Sequence, residues 1–382
     1  MALRKKPEPA ELRFALIGAG TALHAMYGPA FRFLEGARLT CVMDPWEEAR
    51  ARAEDYRGVT AYARLDELIE RERPDVAIVA SPTPFHAEQT VALAKAGVHV
   101  FCEKPMARDL AECDRMIRAC REAGARLGVG FMKRYNKAVR VATEWAAKGR
   151  LGKLFALDCE WNFPAGRDHG VYAHPHRPWR GRRDNWGGVF QDHGSHTIDL
   201  ARLWLGEPTW IAAQMGIAGK GTEVEDVAVA VLRHASGAIS THRMNIRTHK
   251  PLLERYDLYG AKGTMEIDWG GVWRWSAYTP EPMNVRVHRK GVEVLDLTPR
   301  PEQALDHEIS RHWHYLAELR DFVAALRAGT PVPVPGEDGR AVVEVVSAAY
   351  LSAATGRGIA LPLAEPVDVE AIFASGAFAR GV

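Results

Sequence analysis

The chain has 382 residues, a net charge of +2, 47% hydrophobic residues and 26% charged residues. That length favours two packed domains, and the composition excludes a disordered chain. Near-balanced charge gives no footprint for nucleic acid or an acidic membrane, no apolar run approaches transmembrane length, and the start, Met1 to Pro9, lacks the apolar core of a signal peptide. Five cysteines without a Cys-x-x-Cys pair read as reduced, buried thiols of a cytoplasmic protein.

After a loose tail over 1–11, strands are predicted at about 13–18, 37–44, 75–81, 99–103 and 126–131. They are short and unalternating, as strands covered on both faces should be. Helical stretches at 65–69, 85–96 and 110–123 separate them, the last two stopped by Gly97 and Gly124. This alternation implies an α/β fold with a parallel, doubly wound sheet. The first strand runs into Gly18-Ala19-Gly20, a turn that brings main chain to a pyrophosphate, and Thr21, Ala22 and Leu23 continue it. Leu23 stands where the dinucleotide fingerprint has its third glycine, so the first helix is expected to sit farther from the sheet. Asp44 ends the second strand, where a carboxylate accepts both ribose hydroxyls and repels a 2′-phosphate; NAD is favoured, with Arg50 leaving NADP possible. Asp44 can also cap the helix beginning at Pro45-Trp46. Ser81-Pro82-Thr83-Pro84-Phe85-His86 is an extended wall for the nicotinamide ribose, with Thr83 as a helix cap. Glu103-Lys104-Pro105 closes the next strand. A lysine at the carboxyl end of a buried strand is costly unless it acts in the crevice above the sheet, although it can also pair with Glu103.

Composition changes after about Gly130, and ten of the eleven tryptophans lie beyond it. A helix over 137–148 leads to partly alternating strands at 153–163, 209–217, 226–234, 238–246, 255–259 and 264–268. They imply an antiparallel sheet with one face on helices (193–205, 306–328, 337–355) and the other free for a partner subunit. The expected division is a dinucleotide-binding domain over 12–131 and an α+β domain over 132–382. Asp192 and His196 are four apart and Asp199 three further on, one stripe of a helix. A histidine can take a hydroxyl proton near neutrality, Lys104 can donate to the substrate oxygen, and Asp192 can orient His196 or bind a neighbouring hydroxyl. Trp161, Tyr172, Trp179 and Trp186 can stack on a sugar face or pack in the core. The segment with His169, His174 and His176 reads as a polar substrate loop, and no metal is expected.

Gly18-Ala19-Gly20, the Ser81–Gln89 stretch, Glu103-Lys104-Pro105, Gly130–Val139, Gly149–Lys153 and Asp192-His193-Gly194-Ser195-His196-Thr197-Ile198-Asp199-Leu200 together resemble the Gfo/Idh/MocA oxidoreductases, the glucose-fructose oxidoreductase and inositol dehydrogenase group. The likeness spans almost the whole chain in order. It implies an N-terminal Rossmann domain, a C-terminal domain with a large, open, mostly antiparallel sheet, and hydride transfer between a sugar or cyclitol hydroxyl (or the matching ketone) and NAD or NADP. It also implies a homodimer or homotetramer paired through the open sheets and a cis peptide before Pro105. By motif match Lys104, Asp192 and His196 are the catalytic set and Asp199 contacts substrate. The cofactor set it implies is Gly18, Gly20, Thr21, Ala22, Leu23, Asp44, Ser81, Pro82, Thr83, His86, Glu103 and Lys104, and the substrate set is Arg134, Asn162, Tyr172, Trp186 and Asp199. Two other functions are weighed against the dehydrogenase: a glycoside-cleaving enzyme that oxidises transiently, eliminates and returns the hydride, and a non-catalytic NAD-binding regulatory protein.

Overall fold

The computed structural model describes residues 11–164, 181–219, 222–249, 253–268, 284–290, 292–298 and 313–378. Strands β1 (Leu12–Ile17), β2 (Ala37–Met43), β3 (Thr60–Tyr62), β4 (Val76–Val79), β5 (His99–Glu103) and β6 (Leu127–Gly130) pair in parallel in the order β3-β2-β1-β4-β5-β6. The chain winds outward in both directions from β1 and β4, so a crevice opens at their carboxyl ends. Helices α1 (Tyr27–Ala30), α2 (Glu47–Ala51), α3 (Leu65–Glu72), α4 (His86–Lys95) and α5 (Leu110–Glu122) connect the strands. Asp109 starts α5 by accepting the Glu112 amide at 2.8 Å. Gly97 and Gly124 follow α4 and α5 at φ +78° and +68°, the left-handed stop expected of them. Sequence pattern gave no sign of β3, whose three residues are too few to carry a period.

The missing third glycine has a local solution. The segment before α1 is a π-helical turn, Ala22–Met26. It seats Leu23, fully buried, among Phe14 and Leu16 of β1, and the Tyr56 hydroxyl donates to the Leu23 carbonyl at 2.8 Å. Close approach moves five residues on, to Gly28, where a Cβ would lie 2.0 Å from the Leu23 oxygen. Thr83 does not cap α4. It opens a short 3₁₀ turn, Thr83–Phe85, and no side chain caps either element, because Pro82 and Pro84 already set the path.

The second sheet has nine strands. After α6 (Lys137–Ala147) come β7 (Leu154–Pro164), α7 (Ser195–Leu205), β8 (Pro208–Gly216), β9 (Val227–His234), β10 (Ile239–Thr248), β11 (Leu253–Gly260), β12 (Gly263–Asp268), β13 (Asn284–Arg289), β14 (Val292–Asp296), α8 (Trp313–Ala328), α9 (Gly336–Thr355), β15 (Ile359–Ala360) and α10 (Val369–Ala374). Among the described residues the order is β14-β13-β12-β11-β7-β10-β9-β8-β15, with β7 and β10 parallel and the other pairs antiparallel. On β9, Ala228, Ala230 and Leu232 are buried while Val229 and Val231 are exposed, so one face is covered and the other open. Leu316, Leu319 and Phe322 of α8 join Phe14, Leu16 and Phe101 in one apolar cluster. Val342, Val343 and Val346 of α9 join a second that reaches Val129 and Met106 on one side and Ile211 and Ala213 on the other. Among the described residues no helix is long and apolar enough to cross a membrane. The five cysteines are free and buried.

Candidate active site

β1 delivers the chain into Gly18 at φ +98°, where a Cβ would lie 2.7 Å from the Ala80 carbonyl oxygen. Only glycine lets this loop pass the loop after β4. The Gly18 amide donates to Met43 O at 2.7 Å, tying the loop to the end of β2. Asp44 follows, its two oxygens accepting the Ala19 amide and the Trp46 amide, each at 3.0 Å. The carboxylate therefore orders both sides of the crevice edge where the ribose of a dinucleotide lies, and it does not cap α2, which begins at Glu47. Arg50 donates to the Asp44 and Pro45 carbonyls at 2.9 and 2.8 Å. Thr21 is exposed at the mouth, Gly20 is half-buried, and Ala22 and Leu23 turn their side chains into the core. A glycine turn, a helix start and a fixed carboxylate at the switch point fit a dinucleotide.

Ser81 and His86 sit behind this wall. The Ser81 hydroxyl donates to Gln89 Oε1 at 2.6 Å. His86 is buried, with Nε2 2.7 Å from Ser81 O and Nδ1 3.0 Å from Pro105 O, so it bolts the Pro82-Thr83 loop to the Lys104 loop and does not itself line the crevice. The Lys104–Pro105 peptide is cis. Glu103 does not pair with the Lys104 ammonium. Its carboxylate accepts the Tyr27 hydroxyl at 2.6 Å and the Lys104 amide at 3.0 Å. The Tyr27 hydroxyl is also 3.1 Å from Glu318 of α8, whose carboxyl burial and Glu103 push well up.

Lys104 reaches across to the second half. Its Nζ donates to Asp192 Oδ1 at 2.6 Å and to Asp192 O at 3.1 Å, with both side chains about nine-tenths buried. Asp192 lies in a π-helical turn, Phe190–Gly194, that opens α7. The other carboxylate oxygen is 3.4 Å from His193 Nε2, and the His193 ring stacks on Trp161 at 3.5 Å and 17°. His196 follows on α7, 3% exposed, edge-on to Phe131. Burial, then the charges of Lys104 and Lys133, push its proton affinity well below that of a free histidine, so it stays neutral through the physiological range.

Glu225 holds the start of this turn. Fully buried, its Oε1 accepts the Phe190 amide at 2.9 Å and the Tyr350 hydroxyl at 2.8 Å. Burial pushes its carboxyl up to about 8.

Not every expected residue joins this centre. The π turn breaks the α-helical phase on which a single Asp192–His196–Asp199 stripe depends. Asp199 instead accepts a bidentate pair from Arg134 at 2.8 and 2.5 Å, and Arg134 also meets Asp338 of α9 at 3.1 Å. Both Asp199 oxygens are thereby engaged, and the pair clamps α7 to α9. Asn162 donates to Glu160 at 2.5 Å, on the strand face opposite Trp161. Trp186 is half-buried against the core at φ +58°. Trp161 is covered by His193 on one side and Phe163, stacked at 5.6 Å, and serves as packing. Tyr172, Trp179, His169, His174 and His176 lie outside the described residues, among which no cluster with metal-binding composition occurs. Sequence reading missed His193, Lys133 and Glu254. Lys133 pairs with Glu254, which also accepts the Tyr256 hydroxyl, and the Lys133 charge bears on His196 and His314. The available signal was Glu254 itself, a carboxylate at an inward position of β11 where alternation calls for an apolar residue.

Fold and site define an NAD-binding oxidoreductase. A family model described as an oxidoreductase family with NAD-binding Rossmann fold matches residues 12–131, and one described as the GFO/IDH/MocA C-terminal domain matches 139–266. The chain belongs to the GFO/IDH/MocA oxidoreductase family. It is 30% identical to myo-inositol 2-dehydrogenase of Thermotoga maritima over 92% of this chain and 98% of that protein. It is 30% identical to 2,7-anhydro-N-acetylneuraminate hydratase of Mediterraneibacter gnavus over 67% of each. Among solved structures, WlbA dehydrogenase from Bordetella pertussis in complex with NADH and UDP-GlcNAcA superposes with a TM-score of 0.76 at 26% identity, covering 92% of this chain and 99% of that one.

Proposed function

We propose that this chain transfers a hydride between a sugar or cyclitol hydroxyl, or the matching ketone, and NAD. One observation carries the reading: Lys104, at the carboxyl end of β5, meets Asp192 and the His196 turn, contributed from 88 residues away. When bound, the dinucleotide supplies the hydride acceptor or donor. The chain's own part is to fix the substrate oxygen with the Lys104 ammonium, to hold that ammonium with Asp192, and to accept or return the hydroxyl proton at the neutral His196 imidazole. Asp44 and the Gly18–Thr21 turn hold the coenzyme in this reading. Lys133 with Glu254 supplies a second polar station for neighbouring hydroxyls, and Arg134 with Asp199 supports the wall behind it. Five reduced, buried thiols accord with a cytoplasmic setting.

The test is NADH formation against a panel of cyclitols, aldoses and glycosides. Net NADH from a free polyol or aldose is the expected result. Glycoside cleavage without net NADH supports transient oxidation and elimination instead, a reading that the similarity to a hydratase keeps in play. Coenzyme binding without any turnover leaves only a regulatory NAD-binding protein.

The open sheet face pairs subunits in the same reading. Val229, Val231 and Ile239 are exposed side by side on β9 and β10. The wild-type protein is expected to run as a dimer or tetramer in light scattering, and Val231→Asp to shift it to monomer. A monomeric wild type at micromolar concentration excludes this pairing.

A further inference from the structure

Asp192 faces the Lys104 ammonium and the His193 ring. Lys104 Nζ lies 2.6 Å from Oδ1, and His193 Nε2 lies 3.4 Å from Oδ2. The His193 ring lies flat on Trp161 at 3.5 Å, a stack that favours this orientation. Its side chain keeps about a fifth of its surface in contact with solvent, so it can exchange protons with the medium, whereas His196 is sealed. We infer that His193 is a positioning residue: its protonation decides how much of the Asp192 charge is left to hold and orient Lys104, and it thereby sets the acid limb of the pH–rate profile. The inference rests on the dehydrogenase reading for its kinetic consequence, not for its electrostatic one.

Among the described residues, the charges grouped about His193 and His196 come from four elements. On its own turn and α7 stand Asp192 and His196. From the loop after β5 comes Lys104. From the segment after β6 comes Lys133, paired with Glu254 of β11. β7 contributes the uncharged Trp161. The nearest carboxylate in this set is Asp192, and it is also the one that Lys104 needs. An imidazolium at His193 would hold the Asp192 carboxylate from its second oxygen. That loosens the hold on Lys104 and changes the donor offered to the substrate oxygen. A neutral His193 leaves the carboxylate to Lys104. His196 cannot supply this switch, since burial and three neighbouring cationic or imidazole groups already keep it neutral.

Two measurements test this. In the first, kcat is followed against pH for wild type, His193→Phe, which keeps a ring on Trp161, and His193→Gln, which keeps a polar edge. The expected result is an acid limb in wild type that both variants lack, with the high-pH plateau within about threefold of wild type. Variant profiles that superimpose on wild type after scaling overturn the inference. In the second, the His193 ring is titrated by NMR in the protein without coenzyme, for wild type and Lys104→Met. Removing the competing ammonium should raise the His193 midpoint by about one pH unit, and an unchanged midpoint overturns the inference. If no substrate of the panel is oxidised, the dehydrogenase reading fails, while the NMR titration still decides the role of His193.

Discussion

Lys104→Met is expected to lower kcat about 10³-fold while leaving the NADH dissociation constant within about threefold. The methionine fills the same volume but removes the donor aimed at the substrate oxygen. A preorganised donor in a site closed to water is worth two to three orders of magnitude in rate, and Lys104 is about nine-tenths buried at the crevice. Its removal also takes the ammonium away from the buried Asp192 carboxylate, a change that costs about 3 kcal/mol of stability at neutral pH. The two effects separate experimentally: single-turnover kinetics read the first, and urea unfolding reads the second. Lys104→Met with Asp192→Asn restores the stability and not the rate. A single variant that keeps more than a tenth of the wild-type kcat removes Lys104 from the chemistry.

Glu225→Gln is expected to make the protein more stable in alkali. The Glu225 carboxyl is raised to about 8 in the fold from an ordinary value of 4.5, chiefly by burial. Between those two values the unfolded chain ionises while the folded chain holds its proton. Stability therefore falls as pH rises through that window and levels off above about 8, with a total loss of the order of 5 kcal/mol. Glutamine mimics the protonated acid: it keeps an oxygen for the Phe190 amide and the Tyr350 hydroxyl and never ionises. Denaturant midpoints of wild type and variant should coincide near pH 5 and diverge by pH 9, the variant being the more stable. Parallel curves across the range would show that Glu225 ionises as freely in the fold as outside it.

The parallel sheet was readable because each of its longer strands carries a short, mostly apolar run between turn residues, as strands covered on both faces do. β13 and β14 were not, because charged residues alternate along an edge whose outer face meets water, as in Arg286 and His288. The Lys104 and Asp192 ends of the site were legible as polar residues placed where a buried strand and a helix start make them expensive. Their neighbours were not. His193 earns its place through a stack on Trp161, and Lys133 through Glu254; both depend on which strands lie side by side in the second sheet, and nothing local announces that β11 pairs with β7. Asp199 shows the converse case. Its spacing from His196 is right for a shared helix face, and both lie on α7 beyond the widened turn, but Arg134, itself shared with Asp338, took the carboxylate.

The return of α8 and α9 to the first sheet has a consequence for how the molecule comes apart. Phe322 fills space against Gly128 and Phe101, and the Val129 amide donates to Val334 O at 2.9 Å. Residues more than 180 positions away thus finish the wall of the dinucleotide half. A fragment ending near residue 131 would expose that wall to water and is expected to be less stable than the whole chain. Melting should therefore be a single concerted event that dismantles both sheets together, and a scan with two separate transitions would show that this shared wall does not couple them.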